Sequence, residues 1–189
     1  MTPSPTLAPE FLDALRARLQ KVNSEFSLRY PGESLRRQPV HTVYGGAQVF
    51  KSDTAPKMGA LAQRTLEDFG PTPAEFGRAI GLAEGITPVI YARVLEKLER
   101  EPVEDYRIDF EDGYGVRTDS EEDGHALSTA IEVTMGLAAG TLPPSIGIRI
   151  KPFTDEMQAR SIRTLDLFVT RLVTTEGGFP RTSSSRFPR

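Results

Sequence analysis

The chain is predicted to be an α/β protein, a partial TIM (β/α) barrel of about the first three βα units preceded by an N-terminal helix. Three observations predict it. Strand-like and helix-like segments alternate along residues 38–178, which argues for βα units around a parallel sheet. Two of the strands, within "EDYRIDFEDGYGVR" (104–117) and "SIGIRIKPF" (145–153), place apolar residues on one parity and charged residues on the other. Both strands also end in charged residues just before a Gly- or Pro-containing turn, where a (β/α) barrel assembles its active site.

Taken in order, residues 1–37 form an N-terminal tail and helical extension. Its first nine residues are rich in Pro, Ser and Thr. From Pro9, the residues Phe11, Leu12, Leu15 and Leu19 fall at helical spacing, with Arg16, Arg18 and Lys21 around the other side. The segment "RYPGESLRRQP" reads as a turn-rich connector, and "VHTVYGGAQVF" as a strand running into a Gly-Gly loop. Three helices follow. The first starts at Pro56, buries Met58, Ala62, Leu66 and Phe69, and stops at Gly70-Pro71. The second opens on the capping box Thr72-Pro73-Ala74-Glu75. The third opens in the same way on Thr87-Pro88 and buries Ile90, Val94 and Leu98.

The charged strand around Asp109 comes next, followed by a helix whose acidic start, Ser120 to Asp123, suits the positive end of the helix dipole. Leu127, Ala130, Ile131, Met135 and Ala138 are its expected core side, with Gly140 as its end. The strand around Arg149 leads to a last helix, capped by Thr154 and striped with Ile162, Leu165, Phe168, Val169 and Leu172. Residues 179–189 repeat Phe-Pro-Arg without apolar periodicity and read as a disordered basic tail.

Composition narrows the function. The 189 residues include no Cys, which removes disulfides, thiolate nucleophiles and Cys-ligated zinc, and makes the cytoplasm the expected compartment. A formal net charge of -3 with no long basic face argues against a nucleic-acid partner. No apolar run resembles a signal-peptide core or approaches the roughly 20 residues of a membrane span. His41, beside a strand start, is expected to be structural, and His125, early in a helix, to be solvent-exposed. "YGGA" lacks the lysine and spacing of a phosphate-binding loop.

The two charged strands carry the functional reading. Alternation puts Tyr106, Ile108 and Phe110 on one face and Arg107, Asp109 and Glu111 on the other. In the later strand Ile146, Ile148 and Ile150 oppose Gly147, Arg149 and Lys151. Burying such ions costs several kcal/mol each unless they pair or meet water. Periodicity leaves two readings open, a salt bridge lining the sheet interior or a catalytic rim.

At these residues the sequence resembles the HpcH/HpaI aldolase and citrate lyase beta-subunit superfamily. Members have a strand ending in Asp-Leu-Glu-Asp, then a helix, then a strand ending in Val-Arg-Val-Asn. Here these are Asp109-Phe110-Glu111-Asp112 and Ile148-Arg149-Ile150-Lys151. The wider stretches "VHTVYGGAQVFKSDTAPKMG" and "YRIDFEDGYGVR" look like a branch labelled as aldolases or phosphoenolpyruvate-related proteins, and the resemblance covers roughly residues 38–175.

It implies a magnesium-dependent carbon–carbon lyase or aldolase acting on an oxo-acid or acyl-CoA substrate through an enolate. By resemblance Arg149 binds the pyruvate or enolate oxygens, and Asp109 holds this arginine or a metal-bound water, so both are catalytic candidates. Lys151, where the family has Asn, joins Arg149 in substrate binding. Glu111 and Asp112 support the Mg2+ region through hydrogen bonds without touching the ion, whose direct ligands, a Glu and an Asp, belong to later strands. The chain is therefore expected to be a truncated form of a longer barrel. The alternatives are a non-catalytic remnant that associates with itself or a partner, and phosphoenolpyruvate-dependent phosphoryl transfer. A small-molecule substrate, no membrane and a possible homo-oligomer complete the expectation.

Overall fold

The computed structural model describes residues 8–32 and 37–175. The chain divides into two compact units, Met1–Gln38 and Pro39–Arg189. The first contains α1 (Pro9–Arg29), which runs well past the short helix expected, with Pro9 in its first turn and no buried residue.

The second unit is a mixed α/β arrangement. Its elements are β1 (Thr42–Gly46), a 3-10 turn (Ala47–Val49), α2 (Thr54–Phe69), α3 (Pro73–Ile80), α4 (Thr87–Arg100), β2 (Asp105–Asp109), α5 (Asp119–Ala139), β3 (Ser145–Arg149) and α6 (Gln158–Thr174). The strands form a parallel three-stranded sheet in the order β1-β2-β3. Gly46, Asp109 and Arg149 are in register, so the three strands end in one row.

Local chemistry explains most boundaries. Thr72 accepts the Glu75 N–H at 3.3 Å as the N-cap of α3, and Gly81 ends that helix at a φ of 73°. Thr118 and Glu121 form a reciprocal capping box at the start of α5, and Gly140 closes it at a φ of 66°. Only glycine adopts such left-handed φ values without strain.

One face of the sheet packs on the helices. Val43, Tyr106, Ile108, Ile146 and Ile148 meet Phe50, Phe110, Ala126, Ala130, Val133, Phe168 and Leu172 in a single core. Ile108 and Phe110 are fully enclosed, and burying each side chain stabilises the fold by about 1.5–3 kcal/mol. The opposite face carries Thr42, Tyr44, Asp105, Arg107, Asp109, Gly147 and Arg149, as strand alternation and the observed register require.

Several expectations are corrected. Gly45 and Gly46 belong to β1 rather than to a loop, and a Cβ on Gly45 would collide with the Tyr106 hydroxyl. The helix expected from Pro56 starts at Thr54, because Thr54 Oγ1 accepts the Lys51 N–H at 2.9 Å and fixes the preceding turn; Phe69 faces outward. Thr87 does not cap α4. It lies inside the helix, and its hydroxyl donates to the Ala83 carbonyl at 2.9 Å. Thr154 starts a turn that accepts the Met157 and Gln158 N–H groups, so α6 begins only at Gln158.

The buried sides of α5 and α6 also differ from the apolar stripes. α5 buries Glu122, Ala126, Thr129, Ala130, Val133 and Gly136, while Leu127 and Met135 are exposed. Small residues win this face because it lies close to its neighbours: a Cβ on Gly136 would press into Leu142. α6 buries Ser161, Thr164, Phe168 and Leu172, leaving Ile162, Leu165 and Val169 outside. Here hydroxyl bonding outweighs hydropathy. Ser161 Oγ donates to the Lys151 carbonyl at 2.8 Å, and Thr164 Oγ1 donates to Glu122 Oε1 at 2.6 Å. The disordered tail expected at 179–189, and residues 176–178 of the expected barrel, lie outside the described residues.

Candidate functional site

The C-terminal ends of β2 and β3 bring Asp109 and Arg149 together. Arg149 donates from Nε to Asp109 Oδ1 at 2.8 Å and from Nη2 to Asp109 Oδ2 at 2.5 Å, a bidentate fork. Asp109 also accepts the Glu111 N–H at 2.8 Å on Oδ1 and the Gly113 N–H at 2.8 Å on Oδ2. The turn after β2 therefore folds back onto the strand's last side chain. Glycine at 113 permits this approach, since a Cβ there would stand 2.8 Å from Asp109 Oδ2.

Burial pushes the Asp109 carboxyl up, but the Arg149 fork and the two backbone N–H groups outweigh it and hold it below the usual carboxylate range. The same hydrogen bonds, with the nearby carboxylates, raise Arg149 further above its ordinary value.

Glu111 Oε2 lies 3.4 Å from Arg149 Nε, and Asp112 Oδ2 lies 3.2 Å from Nη2. Tyr44, two residues before the end of β1, places its ring under the guanidinium with 4.8 Å between the ring centre and Cζ. Arg149 is thus held in its plane by Asp109 and on one face by Tyr44. Its Nη1 makes no hydrogen bond among the described residues, which leaves one edge of the fork for an acceptor.

Lys151 lies beyond the strand end and belongs to a different group. Its ammonium donates to the Phe110 carbonyl at 3.0 Å and to Glu122 Oε2 at 2.5 Å. The buried Glu122 also receives Thr164 and sits 3.3 Å from Arg160 Nε. Arg160 and Arg163 both bind Asp123, tying α6 to α5. The substrate-binding candidates Arg149 and Lys151 therefore flank the same turn, but only Arg149 keeps an open donor edge.

Neither histidine lies on the Arg149 fork. His41 is at the opposite end of β1, where its Nε2 accepts the Glu104 N–H at 3.4 Å. His125 is half-buried rather than solvent-exposed: its Nδ1 and the Tyr114 hydroxyl share a hydrogen bond of 2.6 Å, because the turn after β2 folds Tyr114 onto α5. Lys151 and Arg117 approach the Tyr114 ring at 5.3 and 4.9 Å. Burial first, and then the Glu122 charge, push the Tyr114 phenol up to about 12.

Sequence reasoning gave no role to Tyr44, Tyr114 or Glu122. The parity of Tyr44, two residues before the strand end, was the available signal for one of them. For Glu122, an acidic residue in a first helical turn, only burial separates it from an ordinary dipole partner.

The donors at the site do not fit a directly ligated magnesium ion. Both oxygens of Asp109 already accept two hydrogen bonds each. Glu111 and Asp112 turn toward the guanidinium. Among the described residues no group of three or more His, Asp or Glu side chains is placed to hold a metal. No helix of the described residues is long and apolar enough to cross a membrane.

Residues 19–189 match the family model described as a domain of unknown function, DUF6986. No curated protein and no solved structure matches the chain.

Proposed function

We propose, from the premise that the chain belongs to the DUF6986 family, that the strand-end face around Arg149 binds the carboxylate and carbonyl end of a 2-oxo acid. In this reading the protein is of carbon–carbon lyase or aldolase type, and the sheet is the first part of a (β/α) barrel. The observation that carries it is the Asp109–Arg149 fork at the C-terminal ends of paired parallel strands with Nη1 left open. Ligands of open α/β sheets and barrels sit at this end of the strands.

Arg149 does the binding. Its free edge holds planar oxygens, and its fixed charge stabilises the negative charge that develops on the carbonyl oxygen as an enolate forms. Asp109 keeps the guanidinium aimed, and Tyr44 fixes its plane. The similarity of Asp109-Phe110-Glu111-Asp112 and Ile148-Arg149-Ile150-Lys151 to the HpcH/HpaI and citrate lyase beta-subunit superfamily supports the same reading. Magnesium enters with that resemblance alone, and any such ion needs carboxylates other than Asp109.

Calorimetric titration with oxalate, a stable planar mimic of the pyruvate enolate, tests the proposal. The wild-type protein is expected to bind it, with Arg149→Met weakening binding at least roughly tenfold, the order expected for a charge-assisted fork. Arg149→Lys, which keeps the charge but not the fork, is expected to fall between. Equal affinity in all three proteins refutes the reading.

A second reading, a non-catalytic protein that works by association, is favoured by the exposed stripe Ile162, Leu165 and Val169 on α6. Sedimentation velocity across a concentration series separates the two. Association without oxalate binding supports the second.

A further inference from the structure

The polar face of the sheet carries a second tethered arginine. Arg107 pairs in register with Gly147, which lies two residues before Arg149 on β3, so both guanidinium groups start on one face. Their backbone positions are offset by one two-residue repeat, about 6.5 Å along the strands, and by one strand spacing, about 4.8 Å across the sheet. Arg107 donates from Nε to Asp105 Oδ2 at 2.9 Å, and Thr42 Oγ1 donates to the same oxygen at 2.9 Å. Asp105 is 2% exposed, whereas the Arg107 side chain is 37% exposed.

As at Arg149, a buried Asp on β2 holds Nε, but here both outer nitrogens stay open, whereas Arg149 keeps only Nη1. Among the described residues neither Nη of Arg107 makes a hydrogen bond. Gly147 is what gives this guanidinium its place, since a Cβ there would run into Nη1 of Arg107.

We propose that Arg107 is a second anion fork of the same site, so that the ligand is a short 2-oxo dicarboxylate; this rests on the reading that Arg149 takes its oxo-acid end. Two planar forks on one face suit two planar carboxylates better than one compact anion, because each guanidinium edge matches a carboxylate bidentately. Each arginine is already balanced by its own aspartate, so binding depends on directed hydrogen bonds rather than on a net positive field. The ligand takes over the outer side of Arg149 from Asp112, which is 82% exposed and turns into water without losing burial.

The test compares 2-oxoglutarate with 2-oxovalerate, which differ only in the distal carboxylate, by calorimetric titration of the full chain. The wild-type protein is expected to bind 2-oxoglutarate at least roughly tenfold more tightly. Arg107→Met is expected to erase the preference while leaving 2-oxovalerate binding in place. Gly147→Ala, which displaces the guanidinium without removing it, is expected to reduce the preference and decides the matter if Arg107→Met does not fold.

A wild-type protein that binds both ligands equally, with binding still lost in Arg149→Met, overturns the second fork and leaves the oxo-acid site standing. A preference that survives in the folded position-107 and position-147 variants also overturns it. Binding of neither ligand overturns the oxo-acid site and the second fork together.

Discussion

Replacing Asp109 by Asn probes the pair at the centre of the site. The carboxylate accepts four hydrogen bonds, two from Arg149 and one each from the Glu111 and Gly113 N–H groups. An amide offers one oxygen, and its NH2 group points hydrogens at two of these donors. Two of the four contacts therefore become donor against donor. At about 1.5–3 kcal/mol for a hydrogen bond to a charged group, a sealed site would lose about 3–6 kcal/mol. Arg149 is 31% exposed and keeps Glu111 and Asp112 beside it, so water and these carboxylates offset part of the loss. The expected destabilisation is about 3 kcal/mol, from the lower end of that range.

Urea unfolding followed by far-UV circular dichroism measures this, provided the m-value is unchanged. Asp109→Asn, Arg149→Met and the double variant close a cycle whose coupling is expected at roughly 2 kcal/mol. The pH dependence has a fixed sign. Although burial pushes Asp109 up, the Arg149 fork and the two backbone N–H groups hold it below its ordinary value. The group therefore adds stability above its unfolded pKa of about 3.9, and that stability is lost as pH falls through the lower folded value. Asp109→Asn is expected to lack this part of the acid loss. A destabilisation below about 1 kcal/mol, the size of a surface effect, or a coupling near zero refutes the argument.

Two further outcomes are expected. Tyr114, held to about 12 first by burial and then by Glu122, should ionise late in an alkaline titration read at 295 nm. A phenol raised in the folded state stabilises below its unfolded pKa and loses that contribution as pH rises through the folded value, so Tyr114→Phe should remove one late step and flatten the stability loss above about pH 10. Glu122→Ala strips the buried partner of Lys151, Arg160 and Thr164 and is expected to cost about 3–5 kcal/mol in urea unfolding. A cost under about 1 kcal/mol would show that water already serves these cations.

The sheet was legible in the sequence because strand alternation is a hard constraint. Once Ile108 is inside, Arg107 and Asp109 must face the other way, and Arg149 follows from the matching pattern in β3. The capping residues Thr72 and Gly140 were legible for a similar reason, since a helix end needs a hydroxyl acceptor or a left-handed residue. Helix faces were legible only in part: Ala130, Phe168 and Leu172 are inside as expected, whereas much of the rest of each stripe is not. α6 displays Ile162, Leu165 and Val169 yet packs through Ser161 and Thr164, because these hydroxyls satisfy the Lys151 carbonyl and Glu122. α5 packs through Ala126, Ala130 and Gly136, whose small size counts for more than their modest hydropathy. Thr87 misled because a threonine hydroxyl bonds backward to a carbonyl as readily as forward to an N–H, and Thr154 because its backbone carbonyl closes a separate turn before α6 begins.

The two cationic groups after β2 and β3 differ in a way that assigns them different work. Lys151 and Arg160 are half-buried, and the buried Glu122 meets both of them while also accepting the Thr164 hydroxyl; opening this group to a ligand would break the contact between α5 and α6. Arg149 gives Nε and Nη2 to the fold and keeps Nη1 at the strand ends, and Arg107 gives only Nε. A charge that served stability alone would be better replaced by an apolar side chain, since desolvating an ion often costs more than its pairing returns. The half-used forks are therefore the residues that keep donor capacity the fold does not consume. They share one face of one sheet, each steadied by its own aspartate, Asp105 at the start of β2 and Asp109 at its end.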